Sequence, residues 1–117
     1  MDIVARLIEL EPGSAERVSA WAKHIDAHRA DAEATLCSEG VAVESWFSLS
    51  LGGKDYLLCY MRADSLQQAE SIAAASTRAV DAYHRQFKAD TWVRGGGAVG
   101  ELLVDLTADA RHARGVS

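Results

Sequence analysis

The chain has 117 residues, 49% hydrophobic and 25% charged, the balance of one ordinary globular domain rather than a disordered or fibrous chain. Its net charge is −5 with Lys and Arg scattered, whereas a nucleic-acid binder gathers positive charge on one face to neutralise phosphate. No apolar run approaches the roughly 20 residues of a membrane-spanning helix, so neither nucleic acid nor membrane is expected as a partner.

The start, Met1-Asp2-Ile3-Val4, lacks the basic segment and apolar core of an export signal, and a cytoplasmic location is expected. Cys37 and Cys59 show no ligand-like spacing and read there as buried free thiols. From Ile3 to Leu10 the chain alternates loosely and reads as a strand. Pro12 ends it, and Gly13 or Ser14 can cap a helix with Glu16 in its first turn. From Ser14 to Ser38, Val18, Trp21, Ala22, Ile25, Ala32 and Leu36 recur at helical spacing, which predicts one long amphipathic helix closed by Gly40.

Val41 to Leu51 alternates with period two. Val43, Ser45, Phe47, Leu49 and Leu51 share one face; Glu44, Trp46, Ser48 and Ser50 share the other. Gly52-Gly53-Lys54 signals a hairpin, and Asp55 to Ala63 returns as a strand, with Leu57, Cys59 and Met61 opposite Tyr56, Leu58, Tyr60 and Arg62. Asp64 or Ser65 can cap a second helix through Leu66, Ala69, Ile72 and Ala73. It breaks near Ser76-Thr77-Arg78 and resumes around Val80, with Val80, His84, Phe87 and Thr91 in one stripe. Gly95-Gly96-Gly97 ends it, Val99 to Leu106 is a last strand, and residues 107–117 read as a loose tail.

This order is βαββαβ, a ferredoxin-like α+β domain over residues 1–106, with a four-stranded antiparallel sheet and both helices on one face. If Val43, Phe47 and Leu49 meet the helices with Leu57, Cys59 and Met61, the bare face shows Trp46, Tyr56, Leu58 and Tyr60. A monomer seldom leaves so large an apolar patch in water. A second copy covering it, in a homodimer, is the expected partner.

The layout resembles the dimeric α+β barrel superfamily. Four segments are similar to a small bacterial family of this fold without an assigned function: Arg29-x-x-x-Glu33-x-Thr35-Leu36-x-x-Glu39-Gly40, Glu44-Ser45, Asp55-Tyr56-Leu57 and Val80-Asp81-x-x-His84. The similarity spans roughly residues 3 to 106. Superfamily relatives include cofactor-free monooxygenases, haem-degrading enzymes, muconolactone isomerases and sugar mutarotases, and a shared fold does not choose among them.

Of the residues suited to chemistry, His84 stands in mid-stripe with Asp81 one turn earlier, close enough to bond one ring nitrogen and fix the tautomer. Tyr83 is beside it. An oriented imidazole suits a general acid or base, although a purely structural histidine has the same signature. His24 and His28 are four apart on one side of the first helix, with His28 at the stripe edge and, by the resemblance, close to the catalytic histidine of sugar mutarotases. No HExxH pattern or third ligand accompanies them, so no metal is expected. Arg29 sits in the stripe, four before Glu33, as a structural ion pair or an anion-binding group. Trp46 and Tyr60 line a ligand cavity or fill the dimer interface.

Two readings follow for a small organic molecule in a sheet–helix cleft: a cofactor-independent enzyme working through His84 and Asp81, or a non-catalytic binding or interaction module. A haem protein ligated by His84 is the third, but nothing in the residues demands a cofactor.

Overall fold

The computed structural model of the chain describes residues 1–108. The elements run β1 (Asp2–Glu9), α1 (Ala15–Ala27), α2 (Arg29–Glu39), β2 (Val41–Leu51), β3 (Lys54–Ala63), α3 (Leu66–Ala75), α4 (Ala79–Thr91) and β4 (Ala98–Val99). The four strands form one antiparallel sheet in the order β2-β3-β1-β4, and the chain is α+β with the sequence βααββααβ. No helix among the described residues is long and apolar enough to cross a membrane.

The hairpin lies where the glycines predict it. Gly52 and Gly53 carry φ of 60° and 79°, the pair of left-handed residues that a two-residue turn between twisted strands requires, and Leu51 faces Lys54 across it. Gly40, at φ 72°, closes α2. Ser65 caps α3, its hydroxyl accepting from the Gln68 amide at 3.2 Å, and the break expected at residues 76–78 separates α3 from α4.

Three expectations are corrected. First, the long helix is two helices, parted at His28, whose backbone (φ −113°, ψ 34°) leaves the helical region. No proline or glycine marks the place, so local propensity gives no sign of it. The bend leaves Trp21 of α1 and Thr35 of α2 as the buried residues of their helices.

Second, β2 has the opposite phase. Val41 pairs with Ala63, Val43 with Arg62 and Trp46 with Cys59, so Ala42 is an extra residue, a β-bulge. One inserted residue transfers all later side chains to the other face. Val41 is buried on the helix side, and beyond the bulge it is Glu44 and Trp46 that join Cys59 and Met61 there. The bare face carries Val43, Phe47 and Leu49 beside Tyr56, Leu58 and Tyr60, with Val43 and Phe47 39% and 55% exposed.

Third, the last strand shrinks from residues 99–106 to Ala98–Val99. After the Gly100 amide bonds the Ala5 carbonyl at 2.7 Å, the chain leaves the sheet edge. Asp105 then meets Arg62 of the bare face, while Leu102, Leu103, Val104 and Leu106 stay exposed. The tail read over residues 107–117 lies outside the described residues from residue 109 onward.

The core has two parts. Ile8, Leu10, Trp21, Leu57, Cys59 and Phe87 form one; Val41, Ala63 and Ala69 form the other. Met61 packs against both. Backbone bonds from Glu11 to Thr91 (2.7 Å) and from Val93 to Glu9 (2.9 Å) tie the end of α4 to the end of β1, which fixes α4 across the sheet. Of the two cysteines, Cys59 is buried as expected but Cys37 is exposed. Burial pushes the Cys59 thiol up to about 12, leaving it unreactive at neutral pH.

Candidate functional site

Between the helix side of the sheet and the four helices lies a cleft of about 640 Å³, within the usual range of small-molecule sites. All three tryptophans of the chain, Trp21, Trp46 and Trp92, line it with His84. The Trp21 and Trp46 rings meet edge to face at 5.3 Å and 84°, and Trp46 stands 5.5 Å from His84. Phe87 stacks on Trp21 at 4.6 Å and 6°. Such contacts hold large rings in one arrangement.

His84 is oriented by Trp21. The indole Nε1–H of Trp21 donates to His84 Nδ1 at 3.1 Å. Indole is a donor only, so Nδ1 is the bare nitrogen and the neutral ring carries its hydrogen on Nε2. Burial, aided by the Lys88 ammonium and opposed by Asp81, pushes the imidazole down to about 4. At neutral pH His84 is therefore an uncharged ring with its basic lone pair already engaged. It offers a hydrogen-bond donor at Nε2, not a general base.

Asp81 does not hold His84. Its carboxylate accepts from Thr35 Oγ1 at 2.6 Å and from the Ser76 hydroxyl, joining α2, the α3–α4 connection and α4. Five other carboxylates line the cleft with it, those of Asp26, Glu33, Glu39, Glu44 and Glu70, and two of them are perturbed. Glu44 faces inward from β2, accepts the Trp46 indole N–H at 3.2 Å, and is raised above the usual carboxylate range chiefly by burial. Glu39, at the end of α2, is pushed up to about 7, first by burial and then by the charges of Asp81 and Glu44. Lys88 lies 4.8 Å from the centre of the Trp92 ring, a cation–π contact.

Of the remaining expected site residues only Arg29 reaches the cleft. Arg29 is exposed at the cleft rim and pairs with Asp26 at 2.6 Å rather than packing on the sheet with Glu33. Tyr60 is on the bare face, where its hydroxyl accepts from Arg62. His28 is exposed; it stacks on His24 at 4.2 Å, and its Nδ1 donates to the His24 carbonyl at 2.8 Å. Tyr83 stacks on His24, 3.6 Å away. Neither ring lines the cleft. Among the described residues no group of three His, Cys, Asp or Glu side chains is placed to share a metal ion.

Trp46, His84 and Asp81 thus come together in the cleft as the sequence suggests, Trp46 by the face it was not assigned to. Trp21, Glu39, Glu44 and Lys88 are the additions. Glu44-x-Trp46 carries the one usable signal, since a charge two residues from a tryptophan in a β-strand must share its face.

No curated protein is similar to this chain. A model of a family of unknown function, DUF6176, matches residues 1–112. With nearly all of its length matched, the chain belongs to the DUF6176 family.

Proposed function

We propose that the protein binds a small organic molecule in the sheet–helix cleft and works as a homodimer of ferredoxin-like subunits. The observation that carries the binding reading is the convergence of three tryptophans and an oriented, neutral His84 on one cavity of about 640 Å³. A structural core has no use for an emptied centre: unfilled volume forfeits dispersion contacts and destabilises. Because every tryptophan lines the cleft, intrinsic fluorescence reads its occupancy directly. A His84→Gln variant is expected to keep the melting temperature and to lose about tenfold in affinity, roughly one charge-free hydrogen bond. Unchanged binding in a folded variant would remove His84 from the site.

The strand order β2-β3-β1-β4 supports the ferredoxin-like plan, each crossover helix being replaced by a helix pair. The dimer rests on the bare sheet face, where Phe47, Leu49, Leu58 and Tyr60 adjoin Val43 and Leu7. Its nearest cation, Arg62, is already paired with Asp105. An apolar face without net charge is self-complementary and suits a two-fold interface. Light scattering at low micromolar concentration is expected to show twice the chain mass, and Phe47→Glu to halve it. A clean wild-type monomer sinks the dimer.

Glu39 favours a second reading, a cofactor-free proton-transfer enzyme whose acid–base group is this carboxyl rather than His84. A side chain poised at about 7 exchanges protons efficiently at neutral pH. Its folded value lies above the ordinary 4.5, so its share of stability is complete below pH 4.5 and is lost as pH rises through 7. Carbon-detected NMR of the Glu39 carboxyl is expected to show its midpoint near neutrality; a midpoint below 5 removes this reading.

A further inference from the structure

Buried carboxylates ordinarily have a cation beside them, because an unpaired charge out of water is costly. In this cleft the half-buried Glu39, Glu44 and Asp81 have none at ion-pair distance, and the Lys88 ammonium acts on Glu39 and Glu44 only at longer range. The ion pairs among the described residues are Arg6–Glu70, Arg29–Asp26, Lys54–Glu9 and Arg62–Asp105, and none includes Glu39, Glu44 or Asp81. The cations that line the cleft are engaged with other groups. Arg6 and Arg29 hold Glu70 and Asp26, Arg85 donates to the carbonyls of Ala73 (2.9 Å) and Ser76 (3.0 Å), and Lys88 rests over Trp92. Asp81 has two hydroxyl donors and Glu44 a single indole N–H.

One of these carboxylates, Glu44, borders aromatic rings. The Glu44–Trp46 bond fixes a carboxylate at the edge of a wall that continues through Trp21 and His84. Carboxylates beside tryptophan faces form the surroundings that attract an organic cation, the ring quadrupole and the negative charge acting together. An anion would meet Glu39, Glu44 and Asp81, none of them in an ion pair, and a plain hydrocarbon would leave them so.

We infer that the cleft takes a protonated amine carried on a flat apolar body, with the ammonium between Glu44 and Glu39 and the body against Trp46 and Trp21. This rests on the small-molecule reading of the cleft. His84 Nε2–H and the Trp92 indole N–H, which is buried without a hydrogen-bond partner among the described residues, supply donors for an acceptor atom on the same molecule. On this view the raised carboxyls of Glu39 and Glu44 are the unliganded state of a cation site.

Three probes of one shape and different charge test it: 2-phenylethylamine, 2-phenylethanol and 3-phenylpropionate. Each is titrated into the intact protein at pH 8 with tryptophan fluorescence as the readout. The amine, whose ammonium resembles that of lysine with its pKa of about 10.4, stays protonated there. It is expected to bind at least about tenfold tighter than the alcohol, a difference of 1.4 kcal/mol, and the carboxylate weakest of all. Glu44→Gln, nearly identical in shape, is expected to bring amine and alcohol within about twofold while leaving the alcohol unchanged; Glu39→Gln serves equally if Glu44→Gln does not fold. If the alcohol or the carboxylate binds as well as the amine, the cation preference falls and the cleft stands. If none of the three gives a saturable change, the binding cleft falls and the cation site with it.

Discussion

Gly97→Ala is expected to detach β4 from the sheet and to destabilise the fold by about 3 kcal/mol, the upper end of the usual cost of overpacking. A Cβ at this position would stand 2.1 Å from the carbonyl oxygen of Leu7 and 3.2 Å from its carbonyl carbon. Both are backbone atoms of β1, which is held along its length by β3, so neither can swing aside. The chain must move instead, and Ala98 and Val99, the two residues of β4 paired with Leu7 and Arg6, follow directly. Gly95→Ala is the control. There an added Cβ meets open space and only the φ of 74° opposes it, a cost of about 1–2 kcal/mol. Urea unfolding of the two variants separates close approach from backbone preference, and a Gly97→Ala loss no larger than that of Gly95→Ala would refute the contact.

The parts of this fold that are legible in the sequence are those set by local chemistry. Alternation, the Gly52-Gly53 turn, the Gly40 cap and the Ser76–Arg78 break all depend on neighbouring residues, and all occur where expected. What is not legible depends on distant residues. The bend at His28 has no breaker in it. The bulge at Ala42 shows only through the pairing of β2 with β3, and it reverses which face meets the helices. The run Val99–Leu106 reads as a strand, yet strand formation needs an edge to pair with, and the chain turns from β1 at Gly100. The candidate site divides in the same way. His84 stands out because an imidazole interrupts a helical stripe. Its hydrogen-bond partner is 63 residues away on α1, not the Asp one turn back, and spacing carries no trace of that pairing. Glu44 was on view beside Trp46, but the pair makes sense as a site only once the bulge turns both toward the helices.

Trp21 joins the core to the site, and two substitutions there are expected to separate its roles. Trp21 is 5% exposed, stacked on Phe87 and edge-on to Trp46. Trp21→Ala empties that space and is expected to destabilise by about 3–5 kcal/mol, the range for removing a large buried aromatic. A loss below about 1 kcal/mol, typical of a surface position, would mean α1 does not bury this ring. Trp21→Phe keeps most of the packing but removes the indole N–H, a net loss of about 1 kcal/mol from the bond. The larger consequence is at His84. The Trp21 N–H bonds the unprotonated Nδ1 and so favours the neutral ring; without it protonation becomes easier. In the native protein the folded value of about 4 lies below the ordinary 6.5, so the folded state binds fewer protons than the unfolded one between those values. Stability from this group therefore falls as pH drops from 6.5 toward 4. Trp21→Phe is expected to raise the His84 midpoint, followed by its ring resonances in NMR, and to flatten that acid loss. A His84 midpoint equal to that of the native protein would show that burial alone sets the ring's state and that Trp21 does not orient it.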